Sequence, residues 1–344
     1  MILLIAPGAA LVASLALAFM LLKSRRQWAV DKPNERSLHS SIVPRTGGLA
    51  IVGGAAVAMA LIAAAGSRLP FWPLLAPAIF LVLLSLIDDR YGLPVRLRLP
   101  AHLLAALWFV LFLALPGGGI AWVWVPVLVI GVAGFANLYN FMDGANGLAG
   151  GMTVFGFSTY GLALSGNGLN AGAGDPALAA LCFALAAAAA GFLCFNLRGK
   201  IFMGDAGSVP LGFLAAAIGV QGWAAGHWSC WFPLLAFAPF ALDGTVTVLR
   251  RMVRGERFWE AHREHYYQRL VRMGWSHMQL AGAAYALMAL CGAGALWALE
   301  ASPACLVLIF ATIGLLFVVL ALLIDAAWRR AQIQQAQPQT RQPS

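Results

Sequence analysis

Acidic side chains are scarce in this chain, and several are grouped where they could do chemistry. Only 13 Asp and Glu occur among 344 residues. One group is the adjacent pair Asp88 and Asp89, at the end of an apolar run. Two neighbouring carboxylates repel each other, and the C-terminus of a helix is itself negative. The pair is therefore expected to be compensated by a metal ion or a basic partner. A solvated helix end paired with Arg90 is the structural alternative.

A second group places polar side chains at every third position. Asn137, Asn140 and Asp143 follow one another at this spacing, and Gly144 and Gly147 come next. Residues three apart on a helix lie on the same side, so these three side chains could line one wall of a site. The glycines permit a bend or a close backbone approach. Hydrogen bonding between helices of an apolar bundle is the alternative.

A third group surrounds Asp205, which comes just before an apolar run and follows Asn196 and Phe202. The position of Asp205 predicts that it caps the following helix. Gly204 and Gly207 let backbone N–H groups approach an anion at that helix start. A plain helix cap without a ligand is the alternative.

The fourth group is the internal polar stretch 250–279. If this stretch is helical, His262, His265 and Arg269 share a face that suits a diphosphate. An amphipathic helix lying in the membrane interface is the alternative. His102 and His227 lie in or beside apolar runs, and we expect them to be hydrogen-bond partners between helices.

The elements that must position these groups are membrane helices. Hydrophobic residues make up 61% of the chain and charged residues 10%, whereas soluble chains carry roughly 25% charged residues. This excludes an ordinary cytosolic enzyme and any disordered or fibrous class. Since a span needs about 20 apolar residues, the sequence predicts an all-α polytopic membrane protein with about eleven transmembrane helices. The predicted spans are 2–22, 48–66, 71–87, 101–115, 120–138, 148–164, 177–195, 209–225, 230–248, 278–297 and 303–324.

The distribution of basic residues predicts the orientation of these spans. All but one of the 22 Lys and Arg fall on one side of the membrane, and the exception is Arg68. This asymmetry predicts a periplasmic N-terminus, a cytoplasmic C-terminus and a site on the cytoplasmic face. Residues 1–328 are predicted to form a single transmembrane domain, and 329–344 a disordered cytoplasmic tail. The predicted cytoplasmic loops are 23–46, 88–99, 139–147, 196–207 and 249–276.

Taken in order, these motifs resemble the bacterial polyprenyl-phosphate N-acetylhexosamine-1-phosphate transferases, the MraY/WecA/WbpL family. Two segments, Pro33-Asn34-Glu35-Arg36-Ser37 and Pro44-Arg45-x-Gly47-Gly48, are most similar to the branch that initiates O-antigen or capsular glycans. The motifs that carry the resemblance are Asp88-Asp89, Asn140-Phe141-Met142-Asp143-Gly144, Phe202-Met203-Gly204-Asp205-Ala206-Gly207-Ser208, Asp243 with Arg250-Arg251, and His262-x-x-His265.

The resemblance implies transfer of a sugar 1-phosphate from a UDP-sugar to undecaprenyl phosphate, with release of UMP. It implies an N-acetylhexosamine or a 6-deoxy derivative as the sugar, Mg²⁺ as the cofactor with Mn²⁺ as an alternative, and a place in the bacterial inner membrane. Membrane lipid is the other expected partner and nucleic acid is not one, while a homodimer is left open. The order His262-Arg263-Glu264-His265 replaces the run of histidines found in the peptidoglycan branch, which argues against a muramoyl-pentapeptide substrate.

The resemblance also assigns roles to individual residues. It makes Asp205 the metal ligand. The residues implied in catalysis are Asp88, Asp89, Asp143, His262 and His265. The residues implied in substrate binding are Asn140, Asn196, Phe202, Arg45, Asp243, Arg250 and Arg251. Two other functions are kept as alternatives, a membrane prenyltransferase of the UbiA type and a polytopic transporter or flippase.

Overall fold

The computed structural model describes residues 1–24, 29–31, 43–66, 72–115, 119–166, 174–257 and 262–336. Almost all of this part of the chain is helical. The first seven helices are α1 (Ile2–Lys23), α2 (Gly47–Ala64), α3 (Trp72–Tyr91), α4 (Val95–Ala114), α5 (Val125–Phe141), α6 (Leu148–Leu164) and α7 (Pro176–Asn196). The other six are α8 (Asp205–Ala224), α9 (Trp231–Ala236), α10 (Ala238–Val253), α11 (Tyr266–Arg272), α12 (His277–Ala298) and α13 (Pro303–Ala336).

The only strands among the described residues are two short antiparallel ones, β1 (Val30–Asp31) and β2 (Val43–Pro44), with Val30 opposite Pro44. The prediction of an all-α polytopic membrane protein is thus confirmed in its fold class. Within the described ranges, nine helices are long and apolar enough to cross a membrane, and the 17-residue α6 is a shorter apolar helix. The count of eleven spans and the orientation stay predictions.

One predicted span is divided in the structure. The run 230–248 forms α9 and α10, which meet at Phe237. Pro239 lies in the first turn of α10. Because proline has no N–H to donate and its ring crowds the preceding turn, it ends α9 and is tolerated at the start of a new helix.

The ends of several helices follow from local sequence. Asp175 caps α7 by accepting hydrogen bonds from the backbone nitrogens of Ala177 and Leu178, at 3.1 and 3.0 Å. Ser276 caps α12, where its Oγ accepts from the nitrogen of Gln279 at 3.2 Å and the Gln279 side chain accepts from the nitrogen of Ser276 at 2.9 Å. Such reciprocal bonds satisfy N–H groups that have no partner inside the helix.

The last helix corrects the prediction of a disordered tail. α13 continues past Arg329 and Arg330 to Ala336, so the boundary at 328 falls inside a helix. The segment 327–336 contains Ala, Arg and Gln and no Gly or Pro, and these are good helix formers. The remainder of the tail, Arg68 and the loop 32–42 lie outside the described residues.

The interior of the bundle is built around α7 and α8, whose apolar stretches are the most deeply buried of the candidate spans. α8 packs against α3 and α5. This packing places the C-terminal ends of α3 and α5 beside the N-terminal end of α8. The acidic groups of the three segments therefore meet at one end of the bundle.

Candidate active site

A polar cleft opens where α3, α4, α5 and α8 meet. It is a narrow cleft, formed by side chains from all four helices. Charged and amide side chains dominate its wall although the surrounding helices are apolar. The lining residues are Leu84, Ser85, Asp88, Arg98, His102, Asn137, Asn140, Asp205 and Val209.

Asp88 is held from both of its carboxylate oxygens. The backbone nitrogen of Leu93 donates to Oδ1 at 2.6 Å, and Nη1 of Arg98 donates to Oδ2 at 3.0 Å. Gly92, with φ of +70°, provides the left-handed turn that returns the chain to Asp88. The basic partner of Asp88 is therefore Arg98, at the start of the next helix, and not Arg90, whose guanidinium lies over the Tyr91 ring at 5.4 Å.

Asp89 performs the task that was predicted for Asp205. Its Oδ1 accepts from the backbone nitrogen of Asp205 at 3.1 Å, and its Oδ2 accepts from that of Ala206 at 3.0 Å. These are the first two N–H groups of α8, which have no partner within the helix. The prediction that Asp205 caps α8 is wrong, because the capping carboxylate comes from the end of α3. The Asp89 side chain is 2% exposed.

The carboxylate of Asp205 is thereby left for the cleft. Nη2 of Arg45 lies 3.4 Å from its Oδ1 and Nη1 of Arg98 lies 3.6 Å from its Oδ2. Arg45 also reaches Asp89, with its Nε 3.8 Å from Oδ1. Asp88 and Asp89 both lie near enough to repel Asp205. Two guanidinium groups, those of Arg45 and Arg98, thus hold three carboxylates together at this end of the bundle.

The donor set fits Mg²⁺ by its chemistry, since the carboxylate oxygens of Asp88 and Asp205 both line the polar cleft. Within the described part of the chain, no three His, Cys, Asp or Glu side chains form a ready metal cluster. Mg²⁺ usually binds through one or two carboxylates, several waters and substrate phosphates. Asp205 lines the cleft and does not cap a helix. It is therefore the carboxylate best placed to coordinate the metal ion.

The polar wall predicted on α5 is present for two of its three members. Asn137 and Asn140 line the cleft, and the hydroxyl of Ser208 donates to Oδ1 of Asn140 at 2.6 Å. α5 ends at Phe141, so Asp143 lies beyond the helix and does not continue that face. Ser208, a member of the Phe202–Ser208 motif, orients the Asn140 amide through its hydrogen bond.

Asp143 lies in the loop after α5, near the backbone of Gly204. Burial raises the pKa of Asp143 well above its usual value. Arg45 opposes this rise in pKa, while Asp205 and Asp89 add to it. Asp143 therefore belongs to the same electrostatic group as the carboxylates of α3 and α8, although it does not line the cleft.

Arg45 is held over the carboxylates by a close backbone crossing. The nitrogen of Phe202 donates to the oxygen of Pro44 at 2.8 Å, and the nitrogen of Gly48 donates to the oxygen of Met203 at 2.7 Å. A Cβ atom on Gly207 would lie 2.7 Å from Cα of Gly48, so side chains are excluded where the two backbones meet. Phe202 thus contributes backbone bonds that fix the Arg45 segment.

Asn196 was predicted to bind substrate, and the structure gives it another task. Its Oδ1 accepts from the nitrogen of Gly147 at 2.7 Å, and its Nδ2 donates to the oxygen of Ile201 at 2.8 Å. The side chain is buried and ties the loop after α5 to the loop after α7. Because both ends of the amide are used in this way, the geometry does not support a direct substrate contact.

The two histidines lie outside the cleft, in a cluster on the far side of Phe141. Their rings stack with centroids 4.9 Å apart, and each ring is about 6 Å from the Phe141 ring, at 6.1 and 6.2 Å. The prediction that His262, His265 and Arg269 share a helix face is wrong, because α11 begins only at Tyr266. Phe141 contacts this cluster and its sequence neighbour Asn140 lines the cleft, so the two sites are adjacent.

The imidazole nitrogens of this cluster are poorly paired. Nδ1 and Nε2 of His262 and Nε2 of His265 are secluded from solvent and have no hydrogen-bond partner among the described residues. Buried polar atoms normally have partners, so these nitrogens are available to a ligand. Burial lowers the pKa of His262 to about 4, with further lowering by His265 and Arg251.

Asp243 fixes the start of α11 and the ring of His265. Its Oδ1 accepts from the nitrogen of Tyr266 at 3.0 Å, and its Oδ2 accepts from the nitrogen of Tyr267 at 3.2 Å. The same Oδ1 lies 3.2 Å from Nδ1 of His265. The geometry makes Asp243 a support for the histidine and does not place it at the cleft.

Arg250 and Arg251, also predicted to bind substrate, are engaged by acidic side chains. Arg250 pairs with Asp325, with Nη2 2.9 Å from Oδ2. Nη1 of Arg251 lies 2.8 Å from Oε2 of Glu256 and 2.5 Å from Oε1 of Glu264. Acidic side chains therefore pair with both guanidinium groups in this structure, and the substrate contacts of Arg250 and Arg251 stay predictions.

Sequence reasoning missed Arg98 and did not connect His102 with the cleft. Arg98 was counted only as a basic loop residue, and His102 was expected to join neighbouring helices, yet both line the cleft. They lie on one face of α4, four residues apart, and Arg98 comes shortly after the Asp88-Asp89 pair. A basic residue near the start of the helix that follows two adjacent acids was the signal that could have identified this part of the cleft.

Comparison with known proteins identifies the relatives of this chain. The model of the family described as "Glycosyl transferase family 4" matches residues 71–222. A Bacillus subtilis (strain 168) protein named "Probable undecaprenyl-phosphate N-acetylglucosaminyl 1-phosphate transferase" is 30% identical over 263 residues, which cover 72% of this chain and 71% of the relative. Proteins from Yersinia pestis and Escherichia coli (strain K12), both named "Undecaprenyl-phosphate alpha-N-acetylglucosaminyl 1-phosphate transferase", are 29% and 27% identical, and the matches cover 76% and 78% of this chain and 76% of each relative.

Proposed function

Because this chain belongs to glycosyl transferase family 4, as its likeness to undecaprenyl-phosphate sugar-1-phosphate transferases shows, we propose that it transfers a sugar 1-phosphate from a UDP-sugar to undecaprenyl phosphate. The membership confirms the resemblance inferred from the motifs and makes the chain a phosphosugar transferase of a bacterial membrane. It leaves no support for the alternatives of a UbiA-type prenyltransferase or a transporter. The direction of the reaction, the sugar and the place in the inner membrane are part of the proposal.

The observation that carries the proposal is the cleft at the end of the bundle, where Asp88 and Asp205 face Arg98. Phosphoryl transfer depends mainly on positioning and on neutralising charge. Arginine donors recognise phosphate oxygens with two parallel bonds, and Arg45 and Arg98 are both placed to exchange a carboxylate for a phosphate. The cleft lies at an end of the apolar helices, a place that suits an acceptor whose phosphate is attached to a lipid chain.

Mg²⁺ is proposed as the cofactor, with Asp205 as its protein ligand and Mn²⁺ as a possible replacement. When bound, the ion would neutralise charge on the diphosphate of the sugar donor. Asp89 holds the start of α8 by accepting hydrogen bonds from the backbone nitrogens of Asp205 and Ala206. The Asp205 carboxylate is therefore kept in place and is not needed as a cap. Asn140, oriented by Ser208, is placed to donate its amide to the nucleotide-sugar.

We favour direct transfer over a covalent aspartyl-phosphate route. Both oxygens of Asp88 already accept hydrogen bonds, from Leu93 and Arg98, which weakens Asp88 as a nucleophile. A phosphomonoester is largely ionised at neutral pH, since its second pKa is about 6. In the proposed step an oxygen of the lipid phosphate bonds to the β-phosphorus of the donor. The bond from that phosphorus to the bridging oxygen breaks, and UMP leaves with the bridging oxygen.

The histidine cluster is proposed to hold the donor on the other side of Phe141. The unpartnered nitrogens of His262 and His265 can donate or accept hydrogen bonds with a phosphate or a sugar. The relatives are named for N-acetylglucosaminyl transfer, which favours an N-acetylhexosamine as the sugar. The resemblance of the loop around Arg45 favours a role in the first step of O-antigen synthesis or of another surface glycan.

The proposal is tested by measuring UMP release from purified protein in detergent with undecaprenyl phosphate, a metal and a panel of UDP-sugars. We expect release that needs lipid and Mg²⁺ together, and a loss of about 10²–10³-fold in kcat for Asp205→Asn, the size seen when a charge-stabilising group is removed. Release by folded protein without added lipid, or near-normal turnover of Asp205→Asn, would contradict the assignment.

A further inference from the structure

The last membrane helix contains a single acidic residue, Asp325. It lies 22 residues after Pro303, about 33 Å along the helix at 1.5 Å per residue. Since the apolar core of a bilayer is about 30 Å thick, Asp325 is placed at the membrane boundary, at the end where the histidine cluster lies. An acid in this position usually has a specific partner.

Asp325 joins two cations that come from different helices. Oδ1 accepts from Nη1 of Arg269 at 2.8 Å and from Nη1 of Arg250 at 3.1 Å, and Oδ2 accepts from Nη2 of Arg250 at 2.9 Å. Arg250 belongs to α10 and Arg269 to α11. Without the carboxylate the two guanidinium groups would repel each other, because no other acidic side chain among the described residues pairs with both of them.

Both arginines also lie against one aromatic ring. The guanidinium carbons of Arg250 and Arg269 are 5.3 and 5.2 Å from the centroid of the Tyr266 ring. Cations attract the faces of aromatic rings at such distances. Asp325 therefore fixes two cations that in turn fix Tyr266, the first residue of α11.

Tyr266 follows directly on His265, so its position determines that of the histidine backbone. Asp243 fixes the same residue from the other side, through the backbone nitrogen of Tyr266 and the ring of His265. α11 has only seven residues, too few to be stable without such contacts. The placement of the stacked histidines thus depends on an acid from α10 and an acid from α13.

We infer that Asp325 is a positioning residue, which acts through Arg250, Arg269 and Tyr266 to set the placement of His262 and His265 against the sugar donor. The inference rests on the proposed function, because it assumes that the histidines contact the diphosphate of a UDP-sugar. It assigns a task to α13 that its otherwise exposed surface does not suggest.

The test compares Asp325→Asn, which keeps the shape and removes the charge, with Asp325→Glu, which restores the charge. The control is Glu300→Gln, which changes an exposed acid in the loop that precedes α13. Steady-state kinetics are measured separately for the UDP-sugar and for undecaprenyl phosphate. Hydrogen exchange is measured for the amides of 266–272.

We expect Asp325→Asn to raise the KM for the UDP-sugar about tenfold, a change typical of losing uniform substrate binding. The KM for undecaprenyl phosphate should stay within about twofold of wild type, because the carboxylates of the cleft do not touch Asp325. Exchange in α11 should become faster, and Asp325→Glu should recover most of the wild-type KM. Glu300→Gln should match wild type in every measurement.

Two results overturn the inference in distinguishable ways. If wild-type protein turns over but Asp325→Asn raises both KM values equally, or raises neither, the positioning role is wrong and the proposed function stands. If folded wild-type protein shows no turnover with any UDP-sugar, the proposed function fails and the positioning role fails with it.

Discussion

Two aspartates that look equivalent in sequence are expected to respond oppositely to mutation. Asp89 and Asp205 both lie in the acidic motifs beside Arg45, with 2% and 13% of their side chains exposed. Asp89 accepts the first two N–H groups of α8, whereas Asp205 accepts no helix N–H and is surrounded by repelling carboxylates. The perturbation is therefore a pair of substitutions, Asp89→Ala and Asp205→Asn.

The magnitude follows from the contacts. Loss of a capping side chain costs about 0.5–2 kcal/mol, and loss of a negative charge at a partly buried helix start costs up to about 2 kcal/mol. Relief of repulsion from Asp88 offsets part of this, so we expect Asp89→Ala to lose about 2 kcal/mol of unfolding free energy. At about 2 °C per kcal/mol for a large domain, Tm should fall by about 4 °C. Asp205→Asn removes a repelled charge, so its Tm should be equal to or above that of wild type.

The assay is thermal unfolding of both variants and wild type in one detergent, at one scan rate, because membrane proteins commonly unfold irreversibly. UMP release by the same preparations provides the second measurement. We expect Asp205→Asn to be folded and inactive, and Asp89→Ala to be less stable. Equal losses of Tm in the two variants, or an unchanged Tm in Asp89→Ala, would refute the division of roles between capping and ligand binding.

Three further outcomes are expected. Burial gives His262 a pKa of about 4 in the folded protein, against an ordinary 6.5. Between these two values the unfolded chain binds more protons than the folded one, so the stability of wild type should fall as the pH is lowered from 6.5 towards 4. His262→Gln should flatten that part of a profile of Tm against pH. Gly207→Ala would place Cβ 2.7 Å from Cα of Gly48 and should cost about 1–3 kcal/mol, whereas Gly131→Ala, with no atom within 4 Å, should not lower Tm. Asn196→Leu loses two buried hydrogen bonds and should cost about 2–4 kcal/mol in unfolding free energy, and an unchanged Tm would show that the two loops are held by other contacts.

The sequence was sufficient to predict the fold class and the group of acids because both depend on local composition. Apolar runs of about 20 residues predict membrane helices whatever their partners are. Asp88, Asp89 and Asp205 stand out because charges are rare in such a chain. The structure places these acids at one end of the bundle, as the distribution of charges around the spans had indicated.

The division of roles among those acids could not be predicted, because it depends on contacts between distant segments. The residue that caps α8 is 116 positions away from the helix start that it caps. No local pattern distinguishes Asp89, which caps, from Asp205, which faces the cleft. Arg98 was missed for the same reason, since its importance lies in reaching two carboxylates on different helices.

The histidine segment shows how periodicity can mislead. The spacing of His262, His265 and Arg269 fits a helix face, but Asp243 accepts the N–H groups of Tyr266 and Tyr267 and so starts the helix after the histidines. Acids on neighbouring elements likewise engage Arg250 and Arg251. The sequence pattern alone does not show these structural partners of the two arginines, because the acids that engage them come from other segments of the chain.

The most direct test of the account follows the β-phosphate of the sugar donor. Purified protein is incubated with undecaprenyl phosphate, Mg²⁺ and a UDP-N-acetylhexosamine that carries radioactive phosphorus in the β-position. The account predicts that the label moves to the lipid together with the sugar and that unlabelled UMP is released in equal amount. Release of labelled UDP, with sugar but no label on the lipid, would contradict attack at the β-phosphorus and with it the proposed use of the cleft.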